Sequence, residues 1–103
     1  MGEDRVEEEG DKMLRPRITR RIRGKPNSSY FKPVGVRMMN LTETTLFMPE
    51  FEAIRLIDLK NTPQKKAGEE MQISQSTLSR ILITGRSKIA DAIVNGKAIK
   101  IEK

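Results

Sequence analysis

The sequence predicts a mainly α fold, in which a three-helix helix-turn-helix core follows an extended basic N-terminal arm. The composition supports this prediction, because 36% hydrophobic residues with only 4% aromatics favours a core of Ile, Leu, Met and Ala over an aromatic-rich β-sandwich. After residue 49, apolar residues recur at three- and four-residue spacings, which is typical of helices that bury one face. Residues 36–47 could hold a short strand or an irregular segment, and residues 98–102 could form a short strand.

Charge divides the 103 residues into three regions. Residues 1–11 are predicted to be a disordered acidic head, residues 12–35 a basic arm and linker, and residues 36–103 the helix-turn-helix domain. The formal net charge is +6, and residues 12–25 contain seven Lys and Arg residues with no acidic residue. The seven positive charges of residues 12–25, which no acidic residue of the segment balances, therefore need an explanation.

Cations at this density repel one another and cannot be buried, so we expect the arm to become ordered on a polyanion. Arg outnumbers Lys in the arm, and the planar guanidinium suits phosphates and base edges, so nucleic acid is the expected partner. A tail that merely increases solubility is the alternative. The predicted DNA-binding residues of the arm are Arg15, Arg17, Arg20, Arg21, Arg23 and Lys25.

The first helix is predicted to begin near Pro49, because the missing N–H of proline is harmless in a first turn. Glu50 and Glu52 follow it, where carboxylates favour the positive end of the helix dipole. Asn61 is predicted to end this helix.

A second, short helix is predicted from Pro63 to about Met71, and a third from its cap residue Ser74 to Val94. Gly85 costs about 1 kcal/mol in a helix interior, so we expect a close helix crossing or a slight bend there. The predicted apolar face of the third helix comprises Leu78, Ile81, Leu82, Gly85, Ile89 and Ala92.

The stretch "SQSTLSRIL", residues 74–82, contains more Ser and Thr than helix stability alone would favour. Small hydroxyl side chains would let a helix enter the major groove of DNA, where Gln can pair with adenine and Arg with guanine. No acidic residue, which would repel the duplex, occurs between Ser74 and Lys88. An ordinary solvated face is the alternative, although such a face usually mixes Glu with Lys. The predicted recognition residues are Ser74, Gln75, Ser76, Thr77, Ser79 and Arg80.

Five stretches, taken in order, resemble one family of small prokaryotic proteins. They are "RPR", "YFKPVGV", "EAIRLIDL", "QKKAGEEMQISQSTLSRIL" and "GRSKIADAIVNGKAIKIE", and the resemblance covers residues 13–102. This family is domain-of-unknown-function family 134, predicted DNA-binding proteins with a helix-turn-helix similar to region 4 of sigma-70 factors. The resemblance implies a three-helix DNA-binding core with a recognition helix that starts near Ser74. Family members tend to carry a Gly in the turn and cysteines in the arm, where this chain has Gln72, Thr19 and Arg23.

Cysteine and histidine are both absent, which removes the usual general base, the thiol nucleophile and the commonest transition-metal ligands. We therefore expect no enzyme, no cofactor and no metal site, and the sequence shows no evident small-molecule ligand site. No apolar run approaches the about 20 residues of a membrane helix, and the acidic N-terminus has the wrong sign for a signal peptide. These features predict a soluble cytoplasmic protein that does not bind a membrane.

Together the patterns predict sequence-specific binding of double-stranded DNA, as in a transcriptional regulator. One helix-turn-helix contacts only a few base pairs, and Ile89, Ile93 and Val94 point in more than one direction, so a homodimer is expected. Two alternatives remain open. One is an RNA-binding or ribosome-associated protein, in which the basic arm would be the main element, and the other is an adaptor that interacts with the transcription machinery.

Overall fold

The computed structural model describes residues 21–102 and contains the three predicted helices in this range. Helix α1 comprises Met48–Ile54 and continues into a π-helical turn, Arg55–Leu59. Helix α2 comprises Gln64–Met71, and helix α3 comprises Gln75–Asn95. The predicted helix boundaries are confirmed to within about two residues, whereas nothing in the sequence pattern predicted the π-helical turn.

A small three-stranded sheet accompanies the helices. Its strands are β1 (Tyr30–Phe31), β2 (Glu43–Phe47) and β3 (Ala98–Glu102), and a 3-10 turn, Met38–Asn40, lies between the first two. Strand β3 is central, and it pairs antiparallel with β1 and parallel with β2. The strands β2 and β3 therefore lie within the two segments where short strands were considered.

The fold is mixed, with three helices and a sheet, so the prediction of a mainly α protein is only partly confirmed. Tyr30 and Phe31, assigned to the linker from the sequence, form a strand instead, and the Phe31 side chain stays exposed. The parallel pair of β2 and β3 is separated in the chain by all three helices. Such non-local pairing leaves no hairpin pattern in the sequence, which is why the sheet could not be predicted as a unit.

The main core lies where the three helices meet. The predicted apolar face of α3 is confirmed, because all of its members are buried except Ile89, which is half-buried. The buried residues of the core cluster are Ala53, Leu56, Ala67, Met71, Leu78, Ile81 and Leu82.

Helix α1 packs closely against α3 at Gly85, where the sequence predicted a close helix crossing or a slight bend. A Cβ atom there would lie 3.0 Å from Ile54 Cδ1 and 3.1 Å from Glu50 Cβ. The close contact explains why the helix tolerates a residue that costs about 1 kcal/mol in its interior.

Glu50 is buried at the same crossing and joins both helices through hydrogen bonds. Its Oε1 accepts from Phe47 N at 2.9 Å and from Lys88 Nζ at 2.8 Å, while its Oε2 accepts from Thr84 Oγ1 at 2.8 Å. The sequence suggested no more than a favourable position in the helix dipole. The structure shows in addition a buried polar link that fixes α3 relative to α1.

Two residues at helix ends have left-handed backbone conformations, Asn61 with φ 57° and Gln72 with φ 60°. The conformation of Asn61 confirms the predicted end of the first helical segment. Gln72 lies in the turn after α2, where the resembling family tends to have glycine. A non-glycine residue with this φ is uncommon, so the turn carries some backbone strain.

Candidate nucleic-acid interface

The candidate interface begins at the turn between α2 and α3, where Ser74 caps α3 as predicted. The Ser74 Oγ accepts a hydrogen bond from Thr77 N at 3.1 Å and donates to Thr77 Oγ1 at 2.9 Å, and Ser76 Oγ lies 3.2 Å away. Capping of this kind is worth about 1 kcal/mol to a helix. Helix capping alone is therefore sufficient to explain Ser74, and Thr77 belongs to the same small network.

The other predicted recognition residues share one outward side of α3. With 3.6 residues per turn, an arc of about 140° contains them together with Ile83, and we call this set the outward arc. All members are exposed except Ser79, which is half-buried. Arg80 is the one charged member, and no acidic residue occurs from Gln72 to Ala90. The outward arc comprises Gln75, Ser76, Ser79, Arg80 and Ile83.

A second part of the site lies where the basic arm meets α1, around the carboxylate of Glu52. Its Oε1 accepts hydrogen bonds from Gly24 N at 3.0 Å and Arg55 Nε at 2.8 Å. Its Oε2 accepts from Arg23 N at 3.1 Å and Arg55 Nη2 at 2.9 Å. The arm is thus attached to the helical unit through its backbone.

Glu52 has only 1% of its surface exposed, although it carries a charge. Burial by itself raises the pKa of Glu52, but the hydrogen bonds from Arg55, Arg23 N and Gly24 N outweigh it, and the pKa lies below its usual value. The carboxylate is therefore ionised at neutral pH and remains a strong acceptor for the backbone of the arm.

Arg21, the first described residue, connects the arm to the turn before α3. Its backbone N donates a hydrogen bond to Met71 O at 3.0 Å. Met71 ends α2 and is three residues before Ser74, so their Cα atoms are at most about 11 Å apart. The basic arm therefore meets the folded unit close to the beginning of the outward arc.

The predicted arm residues divide into two groups. Arg21, Arg23 and Lys25 have exposed side chains and lie in a stretch without regular secondary structure. Arg15, Arg17 and Arg20 lie outside the described residues. The structure thus attaches the described end of the arm to α1 and to the last residue of α2, just before the turn that leads into α3.

Two cations at the beginning of α2 were missed by the sequence reasoning. Lys65 and Lys66 are exposed, and the first turn of this helix has no acidic residue. The helix dipole disfavours cations at an N-terminus, so helix stability does not explain them. Two adjacent cations at a predicted helix N-terminus, where the dipole disfavours them, are the sequence signal that could have identified Lys65 and Lys66.

An exposed ion pair joins the π-helical turn to α3. Arg86 Nη2 lies 2.7 Å from Asp58 Oδ1, and Arg86 Nε lies 3.1 Å from Asp58 Oδ2. The hydrogen bonds from Arg86 hold the pKa of Asp58 below its usual value. The Arg86 guanidinium is therefore already paired, and it lies about three helical turns after Gln75, the first residue of the outward arc.

The far end of α3 presents apolar side chains to solvent. Ile93 is 74% exposed and Val94 is 79% exposed. Beside them lies a shallow, mainly apolar groove of about 300 Å³. It is lined by Phe31, Pro33, Ala92, Ile93 and Ile99 together with Lys32, Gly96 and Lys97. This apolar surface, which we call the far-end patch, lies on the same helix as the polar outward arc.

Within residues 21–102, no three acidic side chains come close enough together to hold a metal ion. In the same range, no helix has the length and apolar character needed to span a membrane.

Comparison with known proteins identifies the family of this chain. The family described as "Protein of unknown function DUF134" matches residues 11–103. A UPF0251 protein of Thermoanaerobacter pseudethanolicus is 49% identical over 90 residues, which cover 87% of this chain and 76% of that protein. A UPF0251 protein of Dehalococcoides mccartyi is 44% identical over 90 residues, which cover 87% of this chain and 77% of that protein. No solved structure matches the chain. The resemblance inferred from the motifs is confirmed, and the chain belongs to the DUF134 family.

Proposed function

We propose that this protein binds double-stranded DNA sequence-specifically and regulates transcription. The α2–turn–α3 unit acts as a helix-turn-helix, with α3 as the recognition helix in the major groove and the arm on the phosphate backbone or in the minor groove. This is a binding function that needs no cofactor and no catalytic step. Because the DNA of a prokaryotic cell lies in the cytoplasm, the protein is proposed to act there.

The observation that carries the proposal is the composition of the outward arc. Its Ser side chains are short, so the helix backbone can come near the base pairs, and no carboxylate on this side repels the phosphates. Arg80 lies within the first two turns of α3, where its guanidinium can donate two hydrogen bonds to guanine. Gln75, at the first helical position, can form the corresponding pair with adenine.

The remaining cations of the unit support the same conclusion. Lys65 and Lys66 at the start of α2, and the exposed side chains of Arg21 and Arg23, are suited to phosphate contacts. Such contacts orient a protein on the duplex without distinguishing sequences. The proposal therefore assigns sequence preference to the outward arc and general affinity to these cations.

A second copy of the chain is the proposed occupant of the far-end patch. A single helix-turn-helix covers few base pairs, and pairing on two half-sites increases the length of DNA that is recognised. Ile93 and Val94 lie at the opposite end of α3 from the outward arc, so pairing through them leaves the arc accessible.

The proposal is tested by selecting bound sites from random duplex DNA with the full chain. We expect a recurrent sequence motif with two related halves. A gel-shift competition between the selected duplex and structured RNA follows, in which the duplex should compete better. Preferential binding to RNA would support the RNA-binding alternative instead, and near-zero affinity for any duplex at low salt would favour the adaptor.

A further inference from the structure

The backbone of residues 21–24 is attached to the helical unit at two places. Arg21 N donates to Met71 O beside the turn, while Arg23 N and Gly24 N donate to the buried Glu52 carboxylate. All three donors are backbone N–H groups, so these bonds leave the guanidinium groups of Arg21 and Arg23 exposed. The attachment therefore fixes the path of the arm without consuming its positive charge.

The carboxylate of Glu52 is prepared for this attachment. Arg55 makes two parallel hydrogen bonds to it, one to each oxygen, which holds the carboxylate plane in a fixed orientation. Each oxygen then has a further acceptor position, and Arg23 N and Gly24 N occupy these. A buried carboxylate is costly unless its hydrogen bonds are complete, so the docked arm completes the site.

Gly24 allows the arm to come this close. A Cβ atom at this position would lie 2.7 Å from Glu52 Oε1 and still closer to the Arg55 side chain. Arg55 could make room for it only by leaving the geometry of its two bonds to Glu52. Any side chain at position 24 therefore competes with the Glu52–Arg55 pair.

We propose that Glu52, Arg55 and Gly24 are positioning residues, which fix where the basic arm leaves the folded unit so that the arm and α3 engage the same DNA segment. This inference rests on the proposed DNA-binding function. An anchored arm meets phosphates near α3 at a higher effective concentration than an arm joined through freely moving residues. Residues 12–20 can extend at most about 32 Å from the anchor, close to one helical turn of DNA.

The test is a double-mutant cycle on duplex DNA with the full chain. The arm-charge variant combines Arg20→Ala, Arg21→Ala and Arg23→Ala. The cycle compares four proteins, namely the unchanged protein, Gly24→Ala, the arm-charge variant, and the arm-charge variant with Gly24→Ala added. We expect Gly24→Ala to weaken binding about tenfold in the unchanged protein and less than about twofold in the arm-charge variant. Asn27→Ala, an exposed change in the same loop, is the matched control and should leave the affinity unaltered.

The outcomes distinguish this inference from the proposed function. If Gly24→Ala weakens both backgrounds equally, or neither, the anchor does not act through the arm and the inference is overturned, while DNA binding stands. If the unchanged protein binds no duplex, the proposed function fails and the inference fails with it.

A measurement on the unchanged protein covers the case in which Gly24→Ala does not fold. Amide hydrogen exchange without DNA should show protection of the Arg23 and Gly24 N–H groups, and Glu52→Gln should reduce it while α3 stays protected. Exchange of both amides at the rate of an unstructured chain would overturn the anchor directly.

Discussion

The two halves of α3 share one buried apolar face, but the side chains that they expose to solvent differ in polarity. The first half exposes short polar side chains, Arg80 and a single large apolar residue, Ile83. The second half exposes Arg86 near its beginning, and the adjacent apolar pair Ile93 and Val94 at its end. Packing against α1 and α2 explains the buried apolar face, but it does not explain which residues occur on the exposed sides of the helix. This difference is why we propose different partners for the two outward sides, a polyanionic groove at the beginning of the helix and an apolar surface at its end.

The largest effect is expected from placing an anion in the first half. Ser76→Glu should lower duplex affinity about 100-fold or more, because a carboxylate would face the phosphates of the groove. A Glu in the first turn is favourable for the helix dipole, so the free energy of unfolding should be unchanged or slightly higher. Gel shifts together with thermal unfolding measure both quantities.

Ser76→Ala is the neutral control for this change and should cost far less affinity. Equal losses for Ser76→Ala and Ser76→Glu, or retention of affinity by Ser76→Glu, would contradict the assignment of this side of α3 to the groove.

The next largest effect concerns the arm. The arm-charge variant should bind all duplexes more weakly by a similar factor, because phosphate contacts do not depend on sequence. Each lost contact should flatten the slope of log affinity against log salt concentration by about 0.9, and three contacts by about 2.7. An unchanged salt slope would show that these residues do not contact phosphates.

A pair of matched substitutions separates the two halves of the helix. Ile93→Glu should shift the protein from dimer to monomer in sedimentation at tens of micromolar, because it puts a charge into the proposed apolar contact. Ile83→Glu, the same change in the first half, should leave the dimer intact and weaken DNA binding. Sedimentation of the unchanged protein as a monomer, with and without DNA, would contradict the proposal that a second copy of the chain binds the far-end patch.

The smallest effect is expected in the turn between the two helices. Gln72→Gly should raise the free energy of unfolding by about 1 kcal/mol, because glycine adopts the left-handed conformation of this residue without a steric penalty. Chemical denaturation measures the change, and Gln64→Gly at the start of α2 is a control that should not stabilise the protein. A loss of stability in Gln72→Gly would mean that the Gln72 side chain contributes more than the strain costs.

Local signals explain how far the sequence could predict this structure. Ser74, Pro49 and Asn61 mark helix boundaries through their own chemistry. The cost of a glycine in a helix interior predicted a close crossing or a slight bend at Gly85. The bond between Gly24 N and Glu52 joins residues 28 apart, so no local pattern reveals it. For the same reason Glu52 could be interpreted only as a helix-dipole residue, and β1 only as part of a linker. The composition of the outward arc was visible in the sequence because helical periodicity places those residues on one side.

The most direct test of the central claim compares Arg80→Ala with the arm-charge variant on two duplexes, the selected site and a scrambled version of it. Arg80→Ala should cost about 1–3 kcal/mol on the selected site and much less on the scrambled duplex, since a base contact is lost. The arm-charge variant should lose the same factor on both duplexes. If both variants lower the two affinities in the same proportion, α3 does not distinguish bases, and the division between a recognition helix and a phosphate-binding arm is wrong.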